Sequence, residues 1–213
     1  YRVEGRYGSA IRYFADDRSF TRIGNAGFLR EPQRALAISL EVKIEDPDKS
    51  QIAVLATNRT DSDKRGFSLF KWGNELRFSF GDGEQIYQLS APARQLADGN
   101  WHSVQAGFQE GLTALWLDGT RLTTKKLGAG QIAPSDRDLF LGGYPIDNRG
   151  RSNYALDGWL DEVAFGGTQA PLVAYLAEYN EERSNLPPPP PIKANLLPVD
   201  GNEVFFGGER VFH

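Results

Sequence analysis

The chain is 213 residues long with a formal net charge of −4, its 24 Lys/Arg interspersed among 28 Asp/Glu, so no continuous basic stripe can neutralise a phosphate backbone and nucleic acid is excluded as a partner. Cys is absent, which removes disulfides, thiolate metal sites and thiol nucleophiles together. No apolar run reaches the roughly 20 residues that cross a bilayer, so no membrane insertion is expected; 12% aromatics with 23 Gly and 12 Pro favour β structure with many turns.

From residue 9 to residue 165, short alternating segments recur between turn signals. Those at 9–14, 19–23, 36–44, 51–57, 66–72 and 75–80 read as strands, as do 85–90, 102–109, 113–119, 138–144 and 158–166. In "ELRFSF" the alternation is plain: Leu76, Phe78 and Phe80 share one face, and Glu75, Arg77 and Ser79 the other. Gly73-Asn74, Gly81 to Gly83, Asp98 to Asn100 and Asp118-Gly119 supply the positive φ that tight turns need. So many strands with so few helical runs predict two antiparallel sheets packed face to face.

The stretch "NWHSVQAGFQEGLTALWLDGTRL", residues 100–122, predicts a hairpin: Val104, Ala106 and Phe108 share a face, and Leu115 to Leu117 return through Asp118-Gly119 and Leu122. Trp101-His102 at its start has two readings. One is a sugar-stacking or acid–base site. The other, preferred because buried aromatics in sheets pack rather than react, is a buried indole at a strand entry beside an imidazole bonded to nearby backbone.

After Gly167, Thr168 can cap a helix over 169–183 in which Leu172, Leu176 and Tyr179 recur at helical spacing with Val173 beside them. Pro187 to Pro191 then impose an extended polyproline linker over 184–191. The remaining arm, 192–213, is too short for a core of its own, yet it carries Val204, Phe205, Phe206, Val211 and Phe212. Either it returns along its own sandwich and covers an edge, or it delivers a strand or a pair of strands around Gly207-Gly208 to a neighbouring subunit.

Four stretches, in order, carry a resemblance: "GSAIRYFADDRSFTRIG", "ALAISLEVKIEDP", "DGNWHSVQAGFQEGLTALWLDGTRL", and "LFLGGYP" followed by "LDGWLDEVAFGG". Together they resemble the laminin-G-like (LamG) domains of the concanavalin A-like lectin/glucanase superfamily, with its W-H-x-V … D-G hairpin and G-x-i-D-e-v closing strand. The resemblance covers about residues 5–183 and implies an all-β, two-sheet antiparallel jelly-roll sandwich, here with one short C-terminal helix and a proline-led arm. It also implies a secreted or surface-displayed protein; many members carry a disulfide, which this chain cannot, so it looks like the bacterial-style members. Met is absent, position 1 included, so the sequence reads as processed or excised from something longer, and a removed signal peptide would fit.

Chemistry finds few candidates. The related laminarinase-like enzymes use an E-x-D-x-x-E strand; here Asp157 and Asp161 are an even step apart but Glu162 falls on the opposite face, and Glu41 and Glu45 lack the intervening Asp. These acids are expected to be solvated strand faces or strand-end residues bonding to backbone. His102 and the terminal His213 cannot build a zinc site, and "GAGQIAP" at 128–134 is not followed by the Lys-Ser/Thr and helix of a phosphate loop. No cofactor is required; calcium is the ion to weigh, with Asp61, Asp63, Asp147 and Asn148 as loop oxygen donors. Asn58-Arg59-Thr60 is a glycosylation sequon.

The long connection 142–158 is the expected recognition surface, because Tyr144, Asn148, Arg149, Arg151, Asn153 and Tyr154 offer flat faces and directional hydrogen bonds. The leading functional reading is a non-catalytic extracellular module that binds a glycan or surface protein through its rim loops. A structural subunit that self-associates through its C-terminal arm is the alternative, and a glycoside hydrolase of the same fold is the third.

Overall fold

A computed structural model describes residues 2–24, 26–59, 62–144 and 154–166, and the backbone of 205–206 and 209–210. Strands β1 (Arg2–Gly5), β2 (Gly8–Tyr13), β4 (Ala35–Ile44), β9 (Trp101–Gln109), β10 (Leu112–Leu117), β11 (Thr120–Lys126) and β13 (Gly158–Gly166) form a seven-stranded sheet in the order β1-β2-β13-β4-β9-β10-β11. A six-stranded sheet runs β3-β12-β5-β6-β7-β8, built from β3 (Thr21–Ile23), β5 (Ile52–Thr57), β6 (Phe67–Trp72), β7 (Glu75–Gly81), β8 (Ile86–Pro92) and β12 (Leu139–Leu141). Every named pairing is antiparallel. The two-sheet sandwich expected from the alternation is what the chain forms. Two 3-10 turns, Gly27–Arg30 and Arg94–Ala97, were not anticipated.

One apolar core lies between the sheets. Leu36, Ile38, Leu40, Val42 and Ile44 of β4 and Val104, Ala106 and Phe108 of β9 point into it from one side. Leu69 of β6 and Leu76, Phe78 and Phe80 of β7 meet them from the other. Aromatic contacts cross the gap, with Phe80 and Phe108 ring centroids 4.8 Å apart and Phe67 and Phe165 6.1 Å apart. The turns behave as their sequences require: Gly73, Gly99 and Gly119 have φ of +55°, +82° and +77°, and Asp118 joins them at +52°.

The expected helix over 169–183, the linker at 184–191 and most of the arm lie outside the described residues. Of the arm, Phe205–Phe206 (β14) and Glu209–Arg210 (β15) pair antiparallel, Phe205 with Arg210 and Phe206 with Glu209. Among the described residues, no helix is long and apolar enough to cross a membrane.

Candidate functional site

The outer face of the six-stranded sheet departs from the polar surface that simple alternation anticipates. In β6, Phe67 and Leu69 go into the core, which sends Ser68, Phe70 and Trp72 outward. Trp72 remains 47% exposed, and on β8 Ile86 remains 43% exposed. With Ile52 and Val54 of β5 they wall a groove of about 310 Å³, whose polar lining is Arg59, Ser68, Ser79 and Gln88. Tyr144 and Tyr154 close one side, their ring centroids 5.6 Å apart.

Three hydrogen bonds hold those tyrosines in place. β12 stops after Leu141, and the backbone edge of β5 that it leaves is taken up by the ends of the long connection. Gly142 N–H donates to the Leu55 carbonyl at 3.3 Å, and Val54 N–H donates to the Tyr154 carbonyl at 2.9 Å. Leu156 N–H closes the mouth of the connection on the Gly142 carbonyl at 2.8 Å. Gly142 must be glycine, since φ is +72° and a Cβ there would run into the ring of buried Tyr13.

Arg59 is fixed from both ends. Its backbone N–H donates to Thr57 Oγ1 at 3.1 Å, and its guanidinium Nη1 donates to Ser79 Oγ at 2.8 Å, leaving the residue only 5% exposed. At the groove mouth, the Arg77 guanidinium lies 4.5 Å over the Trp72 ring while bonding Glu75 at 2.9 and 2.7 Å, which braces the indole on the sheet surface.

Of the residues the sequence nominated for recognition, Tyr144 and Tyr154 are thus brought together, while Asn148, Arg149, Arg151 and Asn153 lie outside the described residues. Among the calcium candidates, Asp63 accepts a bond from Arg137 Nε at 2.7 Å, and Asp61, Asp147 and Asn148 lie outside. The described residues hold no group of three or more His, Asp or Glu placed to bind a metal. Asn58 is 1% exposed and its Oδ1 accepts the Phe67 N–H at 2.8 Å, so the folded chain has no room for a sugar on the sequon. The side chains of Val204, Phe205, Phe206, Val211 and Phe212 are outside the described set.

Three expectations are corrected. The buried indole of the hairpin is Trp116, 1% exposed, not the half-buried Trp101. His102 is bonded to carboxylates rather than backbone: Nδ1 to Asp118 at 2.8 Å and Nε2 to Asp98 at 2.9 Å. The imidazole thereby joins the turn before β9 to the turn after β10. The acids are solvated only in part: Glu45 keeps 54% of its side chain exposed and Asp161 bonds to backbone as expected, but Asp157, Asp161 and Glu41 are buried. Asp157 and Asp161 are both 5% exposed and Glu41 is 9% exposed. Asp157 is paired with Arg12 at 2.7 Å, Asp161 accepts the Tyr7 and Glu162 N–H groups, and Glu41 takes Arg6 at 2.5 Å. A bulge in β13, with Glu162 at φ +47°, is what turns Asp161 onto backbone donors.

Burial alone draws His102 down, but its hydrogen bonds with Asp98 and Asp118 outweigh this and raise it above its ordinary 6.5. Its contribution to stability is therefore complete below pH 6.5 and is lost as pH climbs through the raised folded value. We expect the thermal midpoint to fall over that upper range, and His102→Gln to flatten the fall; melting curves from about pH 6 to about pH 9 check it. Parallel curves for both proteins would contradict the pairing.

The groove residues Phe70, Trp72, Ile86, Gln88 and Arg59 were missed from sequence. One signal was available: "FSLFKW" places aromatics on both faces of a strand, and a large apolar face turned to water marks a contact surface.

A family model for the laminin G domain matches residues 53–168. Among solved structures, domains LG4-5 of the mouse laminin alpha1 chain are similar with a TM-score of 0.61 at 19% identity, over 78% of this chain and 44% of that one. The chain therefore spans less than half the length of that protein fragment. The CBM40 of a Ruminococcus gnavus IT-sialidase, bound to alpha2,3 sialyllactose, is similar with a TM-score of 0.51 at 17% identity, over 75% of this chain and 85% of that one. So is a structure of botulinum neurotoxin type C, whose cell entry is dependent upon interaction with two ganglioside molecules, with a TM-score of 0.51 at 12% identity over 70% of this chain and 36% of that one. No curated protein matches the sequence.

Proposed function

This chain belongs to the laminin G domain family, and we propose that it is a non-catalytic, extracellular binding module that takes a glycan in the groove on its six-stranded sheet. One observation carries the reading: an apolar trough of sugar-ring dimensions, with Phe70 and Trp72 on one wall, Tyr144 and Tyr154 on another, and hydroxyl, amide and guanidinium donors between them. Flat rings can cover the apolar faces of a pyranose while fixed polar groups read its hydroxyls. At about 310 Å³ the trough sits at the small end of ligand sites, which run from ~300 to ~1,000 Å³, and suits a glycan end better than a protein surface. The sialyllactose bound to the CBM40 and the two gangliosides on which entry of the neurotoxin depends support the same class.

The acids of and beside β4 and β13 support the non-catalytic part. Asp157, Asp161 and Glu41 are each engaged by a cation or by backbone donors, and a general acid or a nucleophile needs reach to a scissile bond.

Glycan-array screening of the whole chain is the test. Trp72→Ala is expected to weaken retained glycans about tenfold or more, which corresponds to ~1.4 kcal/mol, with the melting temperature little changed because the indole is half exposed. Unaltered binding by both Trp72→Ala and Tyr154→Ala would remove the groove from the account. Calcium is not needed in this reading, so retention should survive a chelator; loss that calcium restores would place an ion among the ligand contacts.

A second reading, self-association through the arm, draws on the β14–β15 pair, which among the described residues forms a two-stranded sheet of its own, the kind of unit that strand addition can extend. Removing residues 187–213 should then convert oligomers to monomers in light scattering; a monomeric intact chain dismisses it.

A further inference from the structure

The outer face of the seven-stranded sheet carries a second apolar cluster, apart from the core. β10 sends Leu115 and Leu117 inward and so turns Ala114 and Trp116 outward, where they meet Ala37 of β4. An outward tryptophan on a two-layer sandwich should lie in water as Trp72 does. Instead Trp116 is 1% exposed, Ala114 0% and Ala37 6%. A buried indole hides roughly 150–250 Å², and two alanine methyl groups beneath it can screen one ring face at most. The Trp116 Nε1–H is also buried with no acceptor among the described residues, the mark of a contact that is not yet complete.

The burial is that of a single chain, so its source is intramolecular. At the other end of this face the β1–β2 turn is the cover, with the Tyr7 N–H on Asp161 at 3.1 Å and Arg6 on Glu41 at 2.5 Å. Around Trp116 the register points elsewhere. Gly166, Ala37, Gly107 and Ala114 are successive partners in one row across β13, β4, β9 and β10, so the chain leaves β13 level with the cluster. Three strand spacings, ~14 Å, separate Gly166 from Ala114, and the six residues on to Leu172 can span ~20 Å. Of the other stretches outside the described residues, 145–153 begins and ends beside β5 of the opposite sheet, and the rest are one or two residues long.

We propose that residues 169–183 are the cover, with their apolar stripe of Leu172, Val173, Leu176 and Tyr179 laid across the row Ala37, Gly107, Ala114 and over Trp116. The row is floored by small residues, which lets a helix axis come close, and the stripe has the helical spacing to use it. The rival occupant within the chain is the arm with its phenylalanines. It is tethered beyond Pro187 to Pro191, whereas only residues 167 and 168 separate the stripe's segment from β13, so its local concentration at the face is far higher. The match to the family model ends at residue 168; a domain cut there would leave Trp116 in water, and the working unit extends to about residue 183.

The experiment exploits the absence of Cys, which allows one nitroxide label at a single introduced cysteine of the intact chain. A label at Ala174→Cys, opposite Leu172 and Leu176 on a helix, should broaden the Trp116 indole N–H resonance, identified by its loss in Trp116→Phe. A label at Asn202→Cys should leave that resonance sharp. The reverse pattern would give the face to the arm, and no broadening from either label would overturn the proposal outright. Broadening passed from a labelled chain to an isotope-enriched, nitroxide-free copy would make the cover a second molecule and overturn it too. Leu172→Glu combined with Leu176→Glu should speed exchange of the Trp116 indole proton about tenfold or more while the Trp72 resonance stays in place. Unchanged exchange in that variant would overturn the choice of stripe.

Discussion

Replacing Arg12 with leucine is expected to lower the unfolding free energy by about 3–5 kcal/mol, the usual consequence of removing one partner from a buried ion pair. The reason lies in what the guanidinium satisfies. Arg12 and Asp157 are 7% and 5% exposed, and Arg12 also donates to the Gly158 carbonyl at 3.0 Å and to Glu45 and the Tyr13 carbonyl. The aromatic rings of Phe14 and Trp159 enclose it, each 4.3 Å from the guanidinium carbon. Leucine would fill part of that space but leave the Asp157 carboxylate desolvated without its cation. Urea unfolding of Arg12→Leu, of Asp157→Asn and of the double variant measures this. The double variant should recover part of the loss, and simple additivity of the two single losses would show that the pair is not coupled.

The second large effect is Phe80→Ala, expected to cost about 3–5 kcal/mol. Phe80 is fully buried where three rings converge: Phe108 at 4.8 Å, Tyr87 at 5.4 Å and Phe78 at 5.8 Å. Because Phe108 belongs to the opposite sheet, the cavity would open at the seam between the layers rather than within one of them. Phe80→Leu should cost distinctly less, since it restores most of the volume. A loss below ~1 kcal/mol for Phe80→Ala would mean that the seam collapses to fill the gap, contrary to tight packing.

These residues also show where a sequence is readable. β7 and β9 alternate cleanly because one face is core and the other is not, so Leu76, Phe78, Phe80, Val104, Ala106 and Phe108 could be placed by period alone. β11 has no fully buried residue, and without an apolar face it gives no periodic signal to read. The short β1 is similarly uninformative. For the site, Tyr144 and Tyr154 were legible as exposed ring types in a long connection. Phe70 and Trp72 were not, since an aromatic in a strand is by default assigned to the interior, and only the pairing of β5, β6 and β7 shows these two outside it. Arg59 depends on Ser79, twenty residues away, and Asp157 on Arg12, 145 residues away. Such partners are set by topology, not by spacing. His102 sits at the strand entry that the hairpin predicts, but its partners Asp98 and Asp118 are visible in sequence only as turn residues.

The fastening of residues 142, 154 and 156 to each other and to β5 has a consequence for how such a domain diversifies. The stretch 145–153 leaves and rejoins the scaffold at closed points, so its length and sequence can be exchanged at little entropic cost to the sandwich. Changes at Tyr144 and Tyr154, which flank those anchor points, would retune one side of the trough while β5, β6 and β8 stay constant, and the domain would be a natural recipient for grafted segments in building binding modules of new selectivity.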